Sequence, residues 1–279
     1  MPKKVSPLIK AVFQRMGLEV QRLPKMKSNG VFSHFDEQII AKKYLDSLNI
    51  KDKYCVDIAA MDGVTMSNTF ALYKEGWGGL AVEFDSENFS HLSYIYKDFK
   101  NVNLAKCMVT PLNVLSLLAA HEVPKEFGFL NLDIDGYDYF VLEQILLKYR
   151  PRLICTEINE KIPPPIKFTI NWDPNYVWAT DHFYGQSISQ LHLLCLKHNY
   201  AIVELLYNNA FLIPLECKPK SMFSPQEAYR LGYLEKADRK KKFSYNANME
   251  EVLRMKPEDA LRFIETFFAK YKGRYVASI

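Results

Sequence analysis

Short apolar segments typical of strands alternate with helix-type segments between residues 53 and 157. The predicted strands are residues 53–59, 79–84, 102–107, 127–133 and 152–157. Apolar residues recur at helical spacing in the four segments between them, 67–74, 87–97, 112–120 and 137–148. Such alternation is typical of a parallel sheet whose strands are joined by crossover helices. We therefore predict an α/β fold with a Rossmann-like, doubly wound and mostly parallel sheet.

The flanking segments add helices and close the sheet. Helices are predicted at residues 8–16, 35–48 and 187–198. Two apolar strands, 200–206 and 210–213, flank the sequence Tyr207-Asn208-Asn209. Because Asn tolerates the left-handed backbone of tight turns, this pattern predicts an antiparallel hairpin at the C-terminal side of the sheet.

Three parts of the chain are predicted. They are an N-terminal helical extension (1–34), a Rossmann-like domain (35–216) and a basic helical C-terminal extension (217–279). Aromatic residues recur at helical spacing near the end of the C-terminal extension, which predicts that it folds onto the domain. Residues 158–187 are predicted to form a long loop, and loops of that length usually bind ligands or cover sites.

Composition excludes several classes of protein. With 48% hydrophobic and 24% charged residues, the chain is neither disordered nor collagen-like. No apolar run approaches the ~20 residues of a transmembrane helix, and no secretory signal is recognisable, so we expect a cytoplasmic protein. The five cysteines are widely spaced, which indicates buried thiols and neither a disulfide framework nor a metal site.

The net charge of +4 is unevenly distributed along the chain. Residues 217–279 carry 14 Lys and Arg against 8 Asp and Glu, which leaves −2 for residues 1–216. The densest basic run is residues 239–242. It is a candidate for binding an anionic partner, and a solvated helix end is the simpler explanation.

The first two predicted strands end in residues suited to a nucleotide-type ligand. Strand one continues into a loop with a single glycine, Gly63, and a helix start near Asn68. Ligands of open α/β sheets bind at the carboxyl ends of the strands, and one glycine disfavours a nicotinamide dinucleotide. Strand two ends in Glu83, 20 residues after Gly63, where a carboxylate can accept both hydroxyls of a ribose.

Acidic residues follow the fourth and fifth strands. Asp133 and Asp135 end strand four, and Glu157 and Asn159 end its neighbour. These side chains could deprotonate a hydroxyl or hold a divalent cation such as Mg²⁺ through Asp133, Glu157 and Asn159, and backbone amides could equally satisfy them. His182, at the end of the long loop, could act near neutral pH or could be a structural histidine that fixes the loop.

In this combination and order, the motifs resemble those of class I S-adenosylmethionine-dependent methyltransferases, specifically the FkbM-like group. The matching sequences are Val56-Asp57-Ile58-Ala59-Ala60-Met61-Asp62-Gly63 with Ser67-Asn68-Thr69, the strand-end Glu83, Leu132-Asp133-Ile134-Asp135-Gly136-Tyr137-Asp138, and Arg152-Leu153-Ile154-Cys155-Thr156-Glu157-Ile158-Asn159. The resemblance covers residues 35–213. One departure is Ala59, where the wider superfamily prefers glycine.

The resemblance implies S-adenosylmethionine as the cofactor and assigns residues to it. The methionine moiety would lie on Asp57, Ala59, Asp62, Gly63 and Asn68, and the ribose on Glu83. Further cofactor contacts are expected from Phe84, Met108 and Asp133. Asp133 and Asp135 are the leading candidates for activating the acceptor, with Glu157 and His182 supporting them.

We expect O-methylation of a small-molecule or saccharide-like hydroxyl, as in secondary-metabolite or surface-polysaccharide modification. A hydroxyl acceptor needs a general base or a metal ion, and the predicted site is rich in carboxylates. The alternative is a non-catalytic protein that binds an adenosyl ligand and whose basic tail engages nucleic acid or another anionic partner. Under the leading interpretation, nucleic acid is not an expected partner. Whether the protein forms a homo-oligomer stays open.

Overall fold

The central sheet has seven strands in the order β3-β2-β1-β4-β5-β8-β7. A computed structural model describes residues 7–16 and 30–279. The strands of this sheet are β1 Tyr54–Ile58, β2 Gly78–Glu83, β3 Val102–Lys106, β4 Glu126–Leu132, β5 Arg150–Glu157, β7 Tyr200–Leu206 and β8 Asn209–Pro214. Strands β1 to β5 pair in parallel, and β8 pairs antiparallel with both β5 and β7. The predicted α/β fold, with its closing hairpin, is confirmed.

Helices cover the sheet and continue into the C-terminal extension. The α-helices are α1 Pro7–Arg15, α2 Glu37–Ser47, α3 Phe70–Lys74, α4 Ser86–Tyr96, α5 Val114–Ala120, α6 Asp138–Leu146, α7 Ile188–His198, α8 Pro225–Tyr229, α9 Arg239–Lys242 and α10 Pro257–Phe267. Tighter or wider helical turns occupy Leu215–Cys217, Arg230–Leu234, Ser244–Arg254 and Ala269–Tyr271. Side-chain caps begin α4 and α7, where Asp85 and Ser187 accept backbone N–H donors of the first turn.

A second, two-stranded sheet was not predicted. Strand β6, Lys167–Ile170, lies within the segment predicted as a long loop, and it pairs antiparallel with β9, Tyr275–Ser278. The C-terminal extension is therefore helical with a terminal strand. Each strand has only four residues and its partner lies more than a hundred residues away, so no local pattern distinguishes them from loop.

Aromatic packing attaches the C-terminal extension to the rest of the chain. Phe268 is buried, with its ring centroid 5.6 Å from that of Phe168 and 5.4 Å from that of Phe183. The Tyr271 ring stacks on Phe183 at 3.9 Å. Within the extension, Arg239 of the basic run forms an ion pair with Glu250. The boundaries of the three predicted parts stay a prediction.

The N-terminal helix predicted at residues 8–16 corresponds to α1, while residues 1–6 and 17–29 of the predicted extension lie outside the described residues. Within the part of the chain that the structure describes, no helix combines the length and the apolar character needed to cross a membrane. All five cysteines are free; Cys55, Cys155 and Cys195 are buried as expected, whereas Cys107 and Cys217 are only partly buried.

Candidate active site

The candidate site lies at the carboxyl ends of the parallel strands. Strand β1 lies between β2 and β4 in the sheet. The chain leaves β1 towards β2 and leaves β4 towards β5, so the two connections run in opposite directions along the sheet. Crevices at such switch points are the usual ligand sites of open α/β sheets. The loops after β1, β2, β4 and β5 bring most of the predicted site residues to this edge.

A buried polar network joins the first loop to β4. Asp57 accepts hydrogen bonds from Thr69 Oγ1 at 2.5 Å and Asn131 Nδ2 at 2.8 Å. Asn68 Nδ2 in turn donates to Asn131 Oδ1 at 2.9 Å. Burial raises the pKa of Asp57, and its two side-chain donors oppose that shift. The carboxylate of Asp57 is therefore engaged in holding the loop to the sheet.

One atom of this network has no partner among the described residues. The Asn68 side chain is buried, and its Oδ1 accepts no hydrogen bond. A buried acceptor without a donor is destabilising unless a ligand or an ordered water supplies one. Asn68 therefore offers an acceptor to a ligand that carries an N–H group.

The loop after β1 has an unusual backbone. Ala59 and Met61 have φ angles of 69° and 50°, in the left-handed region that favours glycine. This conformation explains why a glycine would suit position 59 better than the alanine present. Asp62 Oδ1 accepts the backbone N–H groups of Val64 and Thr65, so its side chain closes the following turn.

Gly63 has a packing role that the sequence did not indicate. Its φ angle is 81°, and a Cβ atom at this position would lie 2.6 Å from Leu92 Cδ1 and 2.7 Å from Tyr96 Cε1. Both side chains belong to α4, and Tyr96 also donates a hydrogen bond to the Gly63 carbonyl. The close approach seen in the structure is thus between the loop and α4. A large residue at position 63 would disturb the fold as well as any bound ligand.

We expect Gly63→Ala to lower the free energy of unfolding by about 1–3 kcal/mol more than Gly76→Ala, because the new methyl group overpacks against Leu92 and Tyr96. Gly76 is the matched control, since its φ is 87° and no atom lies within 4 Å of the position of its Cβ. Urea denaturation of both variants measures the difference. Equal losses would show that α4 does not constrain position 63.

Glu83 is buried and already binds three backbone donors. Its Oε2 accepts Met61 N–H at 2.8 Å, and its Oε1 accepts the N–H groups of Phe84 and Asp85 at 2.8 and 2.7 Å. The carboxylate thereby joins the end of β2 to the loop after β1. The remaining lone pair of Oε2 is the acceptor that this arrangement leaves for a ligand hydroxyl.

Large apolar side chains follow β2 and β3 at the same edge. Phe84 is 63% exposed and Met108 is 43% exposed, and each follows one of two neighbouring strands. Leu112 is also exposed, just beyond Met108 along the chain. An exposed aromatic ring beside a polar crevice is a suitable surface for a flat heterocycle.

Three carboxylates converge after β4 and β5. The ligand oxygens of Asp133, Asp135 and Glu157 all lie within 4.8 Å of one another. Burial, followed by the charges of neighbouring acids, raises the pKa values of Asp133 and Glu157 well above their ordinary range, and burial raises that of Asp135. Glu157 Oε1 accepts Asn208 Nδ2 at 2.6 Å, while its Oε2 is buried without a partner among the described residues. Such a cluster needs a proton or a cation to be stable.

Asp138 stabilises the loop that carries this acidic cluster. Its carboxylate accepts the N–H groups of Ile134 and Gly136 at 2.9 and 3.0 Å. Burial raises the pKa of Asp138 to about 6, against the effect of these backbone donors. The turn holds Asp135 at a φ angle of 52°, another left-handed position.

Asn159 and His182 have structural partners. Asn159 is buried, and its Nδ2 donates to the carbonyls of His182 and Tyr184 at 2.9 Å each. His182 Nε2 lies 3.0 Å from Asn248 Oδ1, and its ring lies 5.6 Å from that of Phe267. Burial and the nearby Lys161 lower the pKa of His182. These contacts fit the alternative of a structural histidine that fixes the loop against the C-terminal extension.

Two residues that the sequence did not single out interact electrostatically with the cluster. Burial raises the pKa of Glu37, at the start of α2, and Glu37 adds to the raised pKa of Asp133. Burial, then Glu160, Glu157 and other groups including Asp135, raise the pKa of Tyr245. Locally, Glu37 has the pattern of a helix-start acid and Tyr245 that of an ordinary aromatic residue, so only the tertiary structure reveals them.

A fully buried ion pair ties the loop after β5 to the C-terminal extension. Lys161 Nζ lies 3.1 Å from Glu160 Oε1 and donates to the Tyr184 hydroxyl at 2.9 Å, and that hydroxyl donates to Glu160 Oε2. From the extension, Asn246 Nδ2 donates to Glu160 Oε1 at 2.6 Å, and the Tyr229 hydroxyl donates to the Glu160 carbonyl at 2.5 Å. The extension is therefore part of the framework behind the site.

Comparisons with known proteins find similarity only among solved structures. No family model matches the sequence, and no curated protein matches it. A putative O-methyltransferase from Klebsiella pneumoniae is 14% identical, with 75% of this chain and 91% of that chain covered and a TM-score of 0.41. The N-terminal domain of EvdMO1 with SAH bound is 10% identical, with 74% and 95% covered and a TM-score of 0.44. The methyltransferase domain of bacterial CtHen1-C is 11% identical, with 64% and 98% covered and a TM-score of 0.41.

Proposed function

We propose that this protein is an S-adenosylmethionine-dependent methyltransferase of the class I fold, in the FkbM-like group, that methylates a hydroxyl of a small molecule or saccharide. The observation that carries the proposal is the pairing of two features at one edge of the sheet. One is the loop after β1 joined to Glu83, and the other is the carboxylate cluster of Asp133, Asp135 and Glu157. The first suits an adenosyl ligand, and the second suits activation of a hydroxyl.

The residues at this edge fit the cofactor in four respects. Glu83 keeps an acceptor for the ribose, and Phe84 and Met108 expose apolar surface for the adenine. Asn68 Oδ1 is a buried acceptor without a donor, as an ammonium group would require. The acidic character of the site favours a ligand with positive charge. S-adenosylmethionine supplies a methyl group on an electrophilic sulfonium.

Activation of the acceptor is assigned to the carboxylate cluster. A carboxylate whose pKa is raised by burial is a stronger base once ionised, so Asp133 or Asp135 could take the hydroxyl proton. The same oxygens, with the partnerless Glu157 Oε2, could instead hold Mg²⁺, which stabilises an alkoxide. Asn159 fits this metal-ion role less well, because its Oδ1, the atom that would bind a cation, accepts the backbone N–H of Lys161 at 3.4 Å, and its Nδ2 donates to two loop carbonyls.

The C-terminal extension forms the other side of the acceptor space in this proposal. The half-exposed Tyr245 ring stacks on that of His182 at 6.3 Å and lies 5.7 Å from Lys161 Nζ. Burial and the charge of Glu160 raise the pKa of its hydroxyl, and the charges of Glu157 and Asp135 add to that shift. A ring of this kind can contact the apolar face of a sugar while the carboxylates bind its hydroxyls. A cytoplasmic location stays a prediction, and the oligomeric state stays open.

Binding of the product S-adenosylhomocysteine provides the first test. Phe84→Ala is expected to weaken it by about 1–3 kcal/mol, as for a lost base–aromatic stack, without lowering the thermal unfolding midpoint, because the ring is exposed. Glu83 is a less selective site for mutation, since its carboxylate also holds the loop. Isothermal titration calorimetry measures the affinity.

Leu196→Ala is the matched control, since Leu196 is an exposed apolar residue of α7 and belongs to no part of the site. It is expected to bind S-adenosylhomocysteine with unchanged affinity. If the wild-type protein shows no binding, the proposed cofactor is wrong. If the wild type binds and Phe84→Ala binds equally well, Phe84 does not contact the adenine.

A further inference from the structure

Helix α1 displays large apolar side chains to solvent. Leu8, Val12, Phe13 and Met16 are 78%, 53%, 37% and 67% exposed. They recur at a spacing that places them along one side of a helix. The helices that cover the sheet bury most such residues, as α6 buries Val141, Leu142 and Ile145 completely. The apolar face of α1 therefore has no counterpart among the sheet-covering helices.

The sequence around α1 is strongly basic. Residues 1–30 contain seven Lys and Arg and one Glu, for a net charge of +6. Residues 31–216 contain 15 Lys and Arg and 23 Asp and Glu, for a net charge of −8. Residues 1–30 thus carry the same net positive charge as the much longer C-terminal extension. Their charge is opposite in sign to that of the central part of the chain.

We propose that α1 docks on anionic lipid headgroups and holds the protein at a membrane surface. Its nine residues are too few to span a bilayer, so the helix would lie in the plane of the interface with Leu8, Val12, Phe13 and Met16 among the acyl chains. The net positive charge of residues 1–30 would add electrostatic attraction to the negative surface. The combination favours a lipid surface over nucleic acid, which would satisfy the charge and leave the apolar face in water.

Co-sedimentation with lipid vesicles tests the proposal on the full chain. The wild-type protein is expected to bind vesicles of phosphatidylcholine mixed with phosphatidylserine, and to bind pure phosphatidylcholine vesicles far less. Arg15→Gln with Arg22→Gln and Lys25→Gln is expected to weaken binding about fivefold for each charge removed. Val12→Ser with Phe13→Ser is expected to weaken it more than about tenfold through lost apolar contact.

Matched controls remove the same features elsewhere. Lys218→Gln with Lys220→Gln and Lys241→Gln removes three exposed charges from the C-terminal extension, and Leu196→Ser removes an exposed apolar side chain from α7. Both controls should bind the anionic vesicles as the wild type does. Because Val12, Phe13, Arg15 and the substituted control residues are exposed, thermal unfolding should be the same for the variants at these positions.

Several outcomes would overturn the proposal. The first is a wild-type protein that ignores anionic vesicles, or binds neutral ones equally well. The second is a loss of binding in the C-terminal charge variant as large as in the N-terminal one. The third is binding of the wild-type protein to single-stranded RNA without binding to vesicles. The fourth is a concentration-dependent dimer that Val12→Ser with Phe13→Ser abolishes, since α1 would then contact a second copy.

Discussion

Lys161→Met is expected to lower the free energy of unfolding by about 3–5 kcal/mol, because it leaves the Glu160 carboxylate buried without its cation. Both side chains are almost completely inaccessible to solvent. A loss of this size is a large fraction of the roughly 5–15 kcal/mol by which a domain is stable. Urea denaturation at neutral pH measures it.

The pH dependence of this variant follows from the same pair. Burial alone would raise the pKa of Glu160, but Lys161, Asn246 and other donors hold it below its ordinary value. In the wild type, Glu160 therefore contributes stability above its unfolded pKa, and this contribution is lost as pH falls through the folded one. Without Lys161, the buried carboxyl takes up a proton more readily, so the deficit of Lys161→Met should shrink as pH falls.

Two comparisons identify the cause of the loss. Glu160→Gln added to Lys161→Met removes the unpaired charge and should restore part of the stability. Lys197→Met breaks an exposed pair with Glu143, whose atoms are 2.8 Å apart, and should leave unfolding close to that of the wild type. If both lysine variants unfold alike, burial of the Glu160–Lys161 pair has no energetic consequence.

Asp133→Asn is expected to lower methyl-transfer turnover about 10²- to 10⁴-fold while raising the thermal unfolding midpoint at neutral pH. The first effect follows from loss of the proposed base or metal ligand. The second follows because burial and the adjacent acids raise the pKa of Asp133. The contribution of Asp133 to the stability of the fold is greatest below the ordinary carboxyl pKa, where its carboxyl group is protonated, and it is lost as pH rises through the folded pKa. At neutral pH, Asp133→Asn removes one carboxylate from the cluster and so relieves repulsion.

Asp98→Asn, which neutralises an exposed acid, is the control and should change neither quantity. The proposed roles of the cluster separate on treatment with EDTA. Loss of turnover with EDTA and its recovery with Mg²⁺ would identify metal ligands, while a rate that follows pH and ignores EDTA would identify a base. Full turnover by Asp133→Asn would falsify the assignment of acceptor activation to this residue.

Much of the sheet was predictable because its determinants are local. Strand β1 and the loop through Gly63 could be recognised from an apolar run that ends in small and acidic residues. The same periodic reasoning located Asp133 and Glu157 after neighbouring strands, and parallel pairing then brought their carboxylates together. In these cases the tertiary contact follows directly from the strand order.

What could not be predicted depends on contacts between distant parts of the chain. Glu37 lies 96 positions before Asp133, and Tyr245 lies 88 positions after Glu157, so no spacing rule connects either residue to the cluster. The resemblance places Gly63 against the cofactor, whereas the atoms nearest to the position of its Cβ belong to Leu92 and Tyr96. A glycine indicates close approach, but the sequence does not say which atoms approach.

The pairing of β6 with β9 has a consequence for how the protein folds while it is being synthesised. Residues 167–170 emerge from the ribosome more than a hundred residues before their partner at 275–278. The central sheet can form meanwhile, since all seven of its strands precede residue 215. The segment that carries Tyr184 and His182 gains these contacts only later, so a nascent chain that already has its sheet would still lack one side of the proposed acceptor site.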